Sequence, residues 1–596
     1  MKKRIVSLLM TMLLVLTFFA GCGTGESTTA SVASGEETAD TVSEAVPETT
    51  ETPEEASVAE EASVVEGSAV EELPEETDGA IAFEEVPVAL PISDEPLTYS
   101  MYVSISPVIS ADVNIADSMA LKELSARTNI NIEYDVVSSM SYNEQFMLMI
   151  AGGDWTDVLM NVSTTYSGGL GSAISEDVIL DLSEYEEYMP NYSNLIRSDV
   201  NIYRDVTLGD GEIGAFYGVY NEEKPVDAGL LVRGDWLDKL GLDVPETIDD
   251  YHEMLKAFNS EYGAVMHLPT NGELANQAFL SAYDVAGFYI DAGFFTSLQC
   301  YTVEDGQVIC GFMEDGFKQY LQLMNTFYSE GLISGDYMSA TSTSNYLGDN
   351  SDALSDLLND KIGLWGDSVN TIINYDNTNS VDPDFRAQPV PFPVLNEGDT
   401  LACGTYTSVI DEAYMSISTA CDNVGPLVQY IDYCYTAEGS ALMSWGVEGE
   451  TYVVNDDGSY SFTDLVLNNP DWNVEEARFV YLGMGHGSYL KDIGALYAPF
   501  NDTQMECFEV WNSNFTGEHS VSKFLAMTTD ESNLFGEISG DIITYLSECV
   551  SKFIVGEMNF EEDYDFFLEQ MQTLRVDELT QLEQTVYDRW ASTTLE

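Results

Sequence analysis

Between residues 98 and 160 the chain alternates strand and helix signals, and this alternation narrows the fold more than any other feature. Residues 98–106 (TYSMYVSIS) read as a buried strand. Over 113–128, Ala116, Ala120 and Leu124 recur at a spacing of four, which predicts a helix. Ile130, Ile132, Tyr134 and Val136 then alternate, the period of a strand. Tyr142, Phe146 and Met149 mark a second helix, stopped by Gly152-Gly153, and Val158-Leu159-Met160 a third short strand. Strand–helix–strand–helix–strand predicts a parallel α/β sheet, because parallel neighbours need a crossover between them. In such sheets ligands bind at the carboxyl ends of the strands.

The remainder extends the pattern. Thr247, with Asp250 three residues on, reads as the N-cap of a helix whose apolar stripe is Ile248, Tyr251, Leu255 and Phe258. Pro426 fits the first turn of a helix carrying Leu427, Ile431 and Cys434. Asp456-Asp457-Gly458, between TYVV and SYSF, reads as a hairpin turn. The final 40 residues read as acidic helix. The body, about 500 residues, is too long for one core and fits two large lobes.

The N-terminus has a different character. Lys2, Lys3 and Arg4 precede an apolar run over 5–19, too short for a stable span, and Phe19-Ala20-Gly21-Cys22 resembles a bacterial lipobox, with Phe where Leu is usual. The expectation is a lipoprotein signal peptide over 1–22 and an acylated, palmitate-type anchor on Cys22, placing the chain on the extracytoplasmic face of the cell membrane. Residues 23–97 hold 21 acidic residues and no Lys or Arg. Such a segment cannot offset its ordering entropy and is expected to be a disordered linker, reaching on the order of 50 Å. No later stretch approaches 18 consecutive apolar residues.

With 103 acidic and 20 basic residues the net charge is −83, which argues against nucleic acid and favours neutral or cationic ligands. Beyond Cys22 there are seven cysteines, none spaced as CxxC. Cys300 and Cys310 flank a hairpin signal at Asp305-Gly306; a three-residue loop would set them opposite each other, and otherwise they read as free buried thiols. Gly209-Asp210-Gly211-Glu212-Ile213-Gly214 matches GxGxxG in letters but precedes a strand-like run, so it reads as a turn. Gly483, Gly485 and Gly487 read as a loop. His252, His267, His486 and His519 form no HExxH, so no zinc site is expected. Asp376, Thr378, Ser380 and Asp382 lack the glycine and terminal glutamate of a calcium loop and read as plain loop. There is no GxSxG elbow. No cofactor is expected.

Several longer segments carry a resemblance: IAGGDWTDVLM (150–160), VILDLSEYEEYMPNY (178–192), LVRGDWLDKLGLDVPETIDDYHEMLKAF (231–258), MNTFYSEGLISGDY (324–337), KIGLW (361–365) and YMSISTACDNVGPLVQYIDYCYTAEGSALMSWGVEGETY (414–452). In this order they resemble family 1 extracellular solute-binding proteins, the group of the maltose-binding protein, in the long lipoprotein branch of Gram-positive bacteria. The resemblance implies a bilobed periplasmic-binding-protein-like fold of type II, two α/β lobes joined by a hinge. It places the crossings near Phe216–Asn221, Ala387–Phe392 and Tyr435–Glu438, with lobe 1 over 98–217 and 390–434 and lobe 2 over 218–389 and 435–596. It also implies a monomeric, non-enzymatic component of an ABC importer that hands a carbohydrate, a neutral oligosaccharide, to permease subunits. A peptide or another small solute is the alternative ligand. A secreted glycoside hydrolase is a third reading; it would need two carboxylates about 5–10 Å apart, and no motif marks such a pair.

A sugar site needs aromatic platforms for C–H faces and fixed polar partners for hydroxyls. Where the family places its cleft, the candidates are Trp155, Asn161, Ser163 and Tyr166 around the third strand, Trp365 after KIGL, Trp445 before Gly446, and Tyr102 with Ser104 at the end of the first strand. Arg233 is a candidate that also suits an ion pair with Asp235. Trp236 reads as structural.

Overall fold

The computed structural model describes residues 81–595 except 106–113, 210, 269–272, 287–299, 336, 338–346, 348–350, 373–379, 404–407 and 484–486. The signal segment with Cys22, linker residues 23–80, Asp210, Asp376, Thr378, Gly485 and His486 therefore lie outside the described residues.

The first sheet has the order β14-β4-β11-β3-β1-β2, with β1 (Leu97–Ile105), β2 (Ile130–Ser138), β3 (Val158–Met160), β4 (Phe216–Tyr220), β11 (Ile410–Ile417) and β14 (Leu490–Lys491). Strand β1 runs parallel to β2 and β3, while β11 runs against β3 and β4. The crossovers are α1 (Met119–Thr128) and α2 (Tyr142–Gly152), as the spacing predicts. Ser118 caps α1 by accepting from the Leu121 N–H, and Asn129 ends it at φ 60°. Helix α1 buries Ala120, Leu121 and Leu124 beneath the sheet.

The second sheet runs β10-β5-β9-β6, with β5 (Ala228–Arg233), β6 (Val265–Met266), β9 (Ile362–Ser368) and β10 (Ala387–Val390). Every residue of β9 is buried, as for a strand covered on both faces. Helix α4 (Ile248–Tyr262) opens with the expected capping box, Thr247 and Asp250 each bonding the other's backbone N–H. Helix α3 (Val200–Val206), earlier in the chain, belongs to the first lobe. Around the second sheet pack α5 (Asp315–Ser329), α7 (Asp502–Trp511) and the C-terminal helices α8 (Thr529–Val555), α9 (Tyr564–Thr573) and α10 (Val576–Ser592). Two hairpins, β7 (Tyr301–Glu304) with β8 (Gln307–Cys310) and β12 (Tyr452–Val454) with β13 (Tyr460–Phe462), sit where turns were expected.

The two cores fix the lobes, and the crossings differ from expectation. The first core takes Tyr99 to Val219, Ile410 to Met443 and Tyr489, including α6 (Val424–Tyr433); the second takes Val226 to Leu401 and Cys507 to Val586. The chain therefore crosses over 221–227, again between Leu401 and Ile410, and a third time after Lys491. Residues 390–401 belong with lobe 2, and 435–491 with lobe 1. The third crossing was misplaced because β14, which ties this stretch to β4, is two residues long and has no readable period.

The linker reading also stops short of 97. The Ile81 N–H donates to the Asn221 carbonyl (2.8 Å), Asn191 and the Val86 backbone exchange two bonds (2.7 and 3.0 Å), and the Ala437 N–H donates to Glu85 (2.8 Å). Ile81, Phe83, Val88 and Ile92 pack on the lobe 1 core. The apolar residues of IAFEEVPVALPI supply the burial that the acidic stretch before them lacks.

Between α7 and α8 the chain forms a strap from lobe 2 to lobe 1. Ser522 donates to Asp205 on α3 (2.8 Å), the Phe524 ring meets Tyr217 edge-on (6.2 Å), and Thr529 bonds Ser172 (2.9 Å). The end of α10 reaches the same place. Trp590 Nε1 donates to Asp205 (2.9 Å), and Arg204 donates to the carbonyls of Ala591 (2.6 Å) and Thr593 (2.9 Å). These carbonyls have no partner within their own helix end, so Arg204 acts as a C-cap borrowed from the other lobe.

Candidate functional site

Residues from the three crossings and the strap meet in one cluster of charges and rings. Lys224 lies on the first crossing, Asp411 and Glu412 begin β11 just after the second, Lys491 ends β14 just before the third, and Lys523 rides on the strap. Lys491 Nζ lies 2.5 Å from Asp411 and faces the rings of Tyr414 (4.9 Å), Tyr220 (5.5 Å) and Tyr489 (5.5 Å). Tyr414 also donates to Asp411 (2.8 Å). Gly218 makes room: a Cβ there would lie 2.9 Å from Lys491 Cε and 3.0 Å from the Tyr414 ring.

The electrostatics of the members differ. Burial would raise the Asp411 pKa, but the charge and hydrogen bond of Lys491 prevail and hold it well below the usual carboxylate range. Lys224 and Asp227 pair at 2.7 Å, each about 30% exposed (29% and 30%), and Asp227 raises the lysine pKa against its desolvation. Glu412 is exposed, yet desolvation first and the Asp411 charge second raise its pKa. Lys523 is exposed, its Nζ 5.0 Å from the Phe524 ring. Lys224, Lys491 and Lys523 meet Asp227, Asp411 and Glu412 among tyrosine rings, so this part of a strongly acidic chain carries both signs and is rich in donors and acceptors.

The sequence-derived candidates fare unevenly. Trp365 is 0% exposed in the lobe 2 core, paired across the ladder with Leu231, so the ring expected to stack on a sugar is a packing residue. Trp445 is buried in a satellite core with Tyr452 and Phe462, and its Nε1 is spent on Asp492 (2.7 Å). Arg233 is also 0% exposed. It binds Asp235 through Nε (2.8 Å) and Nη2 (2.9 Å) and Asp360 through Nη1 (2.5 Å), with its guanidinium over Trp236 (4.1 Å) and Phe385 (4.7 Å). The ion pair was the correct alternative. Tyr102 is buried against Tyr142 (5.1 Å) and Phe146 (6.2 Å). In each case a strand or helix position decided the matter: these rings point inward from elements covered on that face.

Of the remaining candidates, Ser104, Asn161, Ser163 and Tyr166 lie toward the carboxyl end of the first sheet, and Trp155, before β3, lies toward its amino end. Ser104 ends β1 half-buried, and the half-buried Trp155 rests on the lobe 1 core with Nε1 on the Ile150 carbonyl (3.1 Å). The Asn161 N–H donates to the Tyr414 carbonyl (2.9 Å), which sets 161–166 beside the junction cluster. Ser163 is half-buried and Tyr166 donates to Glu176 (2.8 Å). Sequence reasoning missed Lys224, Asp411, Glu412, Lys491 and Lys523. The available signal was scarcity: only 17 basic residues lie in the body, and three meet here. Among the described residues no group of three or more His, Cys, Asp and Glu is placed to hold a metal. At Asp382, the described end of the calcium-like loop, Lys239 Nζ (2.7 Å) supplies the positive charge. Burial drives the His267 pKa down to about 4, keeping the ring neutral.

No protein-family model matches the chain. A solved structure of an "HMO binding" ABC-transporter-associated solute-binding protein from Bifidobacterium longum infantis superposes with a TM-score of 0.66 at 18% identity, covering 84% of this chain and 100% of the other. The fold is that of the bilobed solute-binding proteins. Two relatives match by sequence. Lipoprotein LipO of Bacillus subtilis is 23% identical over 474 residues, 77% of this chain and 87% of LipO. The fructooligosaccharide ABC transporter substrate-binding protein FusA of Streptococcus pneumoniae is 21% identical over 535 residues, 84% of this chain and 92% of FusA. Within the solute-binding fold, the junction cluster occupies the ground where both lobes meet.

Proposed function

We propose that the chain is the substrate-binding lipoprotein of an ABC importer, taking up an extracellular oligosaccharide between its lobes and delivering it to membrane permease subunits. The observation that supports this is the meeting of residues from the three crossings and the strap in one cluster of lysines, carboxylates and tyrosines. A ligand there touches both lobes only when they close, so binding selects the closed form. The names of FusA and of the Bifidobacterium structure support a sugar ligand, and that of LipO supports the lipid anchor at Cys22 and an extracytoplasmic location.

The commitment of the carboxylates supports binding without turnover. Asp411 is held ionised by Lys491 and Tyr414, and Asp227 is engaged by Lys224, so neither stands beside Glu412 as an uncommitted acid or base partner. The test is a thermal-shift screen of the purified body against neutral oligosaccharides and short peptides. The expected result is a Tm rise with an oligosaccharide, as binding to the native state requires. Stabilisation by peptides alone would replace the sugar, and release of reducing sugar from a glycan would replace the binding protein with an enzyme.

A further inference from the structure

We infer that Cys300 and Cys310 join in a disulfide once the chain is outside the cytoplasm. Their sulfurs lie 4.0 Å apart, and both residues are buried (1% and 5% exposed). The hairpin turns over two residues, Asp305 (φ 50°) and Gly306 (φ 79°), which pairs Tyr301 with Cys310. The Gly311 N–H then donates to the Cys300 carbonyl (2.8 Å), so the cysteines sit diagonally across the last rung, on strands the ladder already holds together. A disulfide needs its sulfurs about 2 Å apart, so closing the bond requires the two side chains to turn toward each other. Among the described residues, no other cysteine pair brings its sulfurs into such contact.

Other uses of the two thiols fit less well. Metal binding fails for want of ligands, since no third His, Cys, Asp or Glu completes a site among the described residues. Nucleophilic use fails because burial, first among the causes, pushes the Cys300 thiol well above its ordinary range. A disulfide, once formed, needs neither a third ligand nor a thiolate in the folded state. The proposal rests on the export reading for its compartment, where disulfides persist. One thiolate attacks a disulfide oxidant, RS–SR, and releases RSH; the second attacks the mixed disulfide and releases another RSH. Two electrons and two protons thus pass to the oxidant, before the hairpin seals onto α10 or during local opening.

The bond would close the base of a clamp. The Val308 N–H donates to Gln584 on α10 (2.7 Å), Gln584 donates to the Gly306 carbonyl (3.0 Å), and the Val303 N–H donates to His519 on the strap (3.0 Å). The hairpin thereby mounts the two pieces that reach Asp205 on lobe 1.

For the test, the full chain is equilibrated with excess oxidised glutathione, denatured without reductant, blocked with N-ethylmaleimide and cut after glutamate. Cleavage at Glu304 separates the two cysteines. The expected species is a pair of peptides joined until reductant splits them, with Cys403, Cys421, Cys434, Cys507 and Cys549 alkylated. Recovery of Cys300 and Cys310 as separate maleimide or glutathione adducts overturns the proposal. As a second readout, reduction should lower the wild-type Tm and leave Cys300→Ala unmoved; an equal loss in both overturns it too.

Discussion

Arg233 and Lys491 present the same chemistry in two settings. Each is a buried cation against carboxylates with aromatic faces around it. The partners of Arg233 all come from lobe 2, and its guanidinium is sealed between Trp236 and Phe385. The partners of Lys491 come from strands at the lobe junction, and the cluster opens onto exposed Glu412 and Lys523. A buried ion pair therefore says little about function until its place in the topology is known. The first holds one lobe together, while the second sits where a ligand and a moving lobe could both reach it.

The sharpest way to break this contrast is to remove each cation. Arg233→Met leaves Asp235 buried without its main partner and should destabilise by about 3–5 kcal/mol in denaturant melts, with unchanged ligand affinity in the folded fraction. Lys491→Met should cost less stability, about 2–3 kcal/mol, because Asp411 keeps Tyr414 and some solvent. It should also weaken ligand binding more than tenfold by isothermal titration. If both variants lose stability and neither loses affinity, the two clusters are alike and the junction is not the site. Acid sharpens the second case. The folded pKa of Asp411 is depressed, so its pairing adds stability above the unfolded carboxylate pKa, and this is lost as pH falls through the folded value. Lys491→Met should flatten that acid loss.

What the sequence disclosed follows the same division. Helix and strand periods, the Thr247–Asp250 box and the Gly153 stop are local, and they stand in the structure as read. The lobe junction is non-local. Lys491 meets Asp411 only because a two-residue strand adds to β4, and nothing within ten residues of either announces that pairing. Trp365 and Trp445 misled for the complementary reason. Aromatic residues supply both cores and platforms, and only the covering of β9 and the satellite hairpin told which. IAFEEVPVALPI was lost by averaging it with 58 more polar residues from 23 to 80.

A smaller effect is expected where the lobes are tied on their flank. Asp205→Ala strips the acceptor shared by Ser522 and Trp590 and should cost about 2 kcal/mol. Hydrogen exchange should quicken in 520–529 and 589–593 while α4 stays protected. Unchanged exchange in the strap would mean that Phe524 packing alone holds it.

The smallest expected change tests what a buried carboxyl does when no cation stands by, the case that neither Arg233 nor Lys491 supplies. Glu583 on α10 is 8% exposed and forms no ion pair among the described residues. Desolvation first, then the Glu531 charge, pushes its pKa from 4.5 to about 7. A folded pKa raised above the unfolded one means the native state holds the proton more tightly. The group's stabilising contribution is therefore complete below about pH 4.5 and lost as pH rises through about 7. Above that, the ionised carboxylate is a cost. Glu583→Gln should match the wild type near pH 4 and exceed it by about 1–2 kcal/mol at pH 8, within the roughly 3 kcal/mol that a shift of this size allows. Equal stability at both pH values would mean the carboxylate finds a partner in solution. Buried charge on α10 would then be managed as it is at Arg233, and the strap's mount would owe nothing to pH.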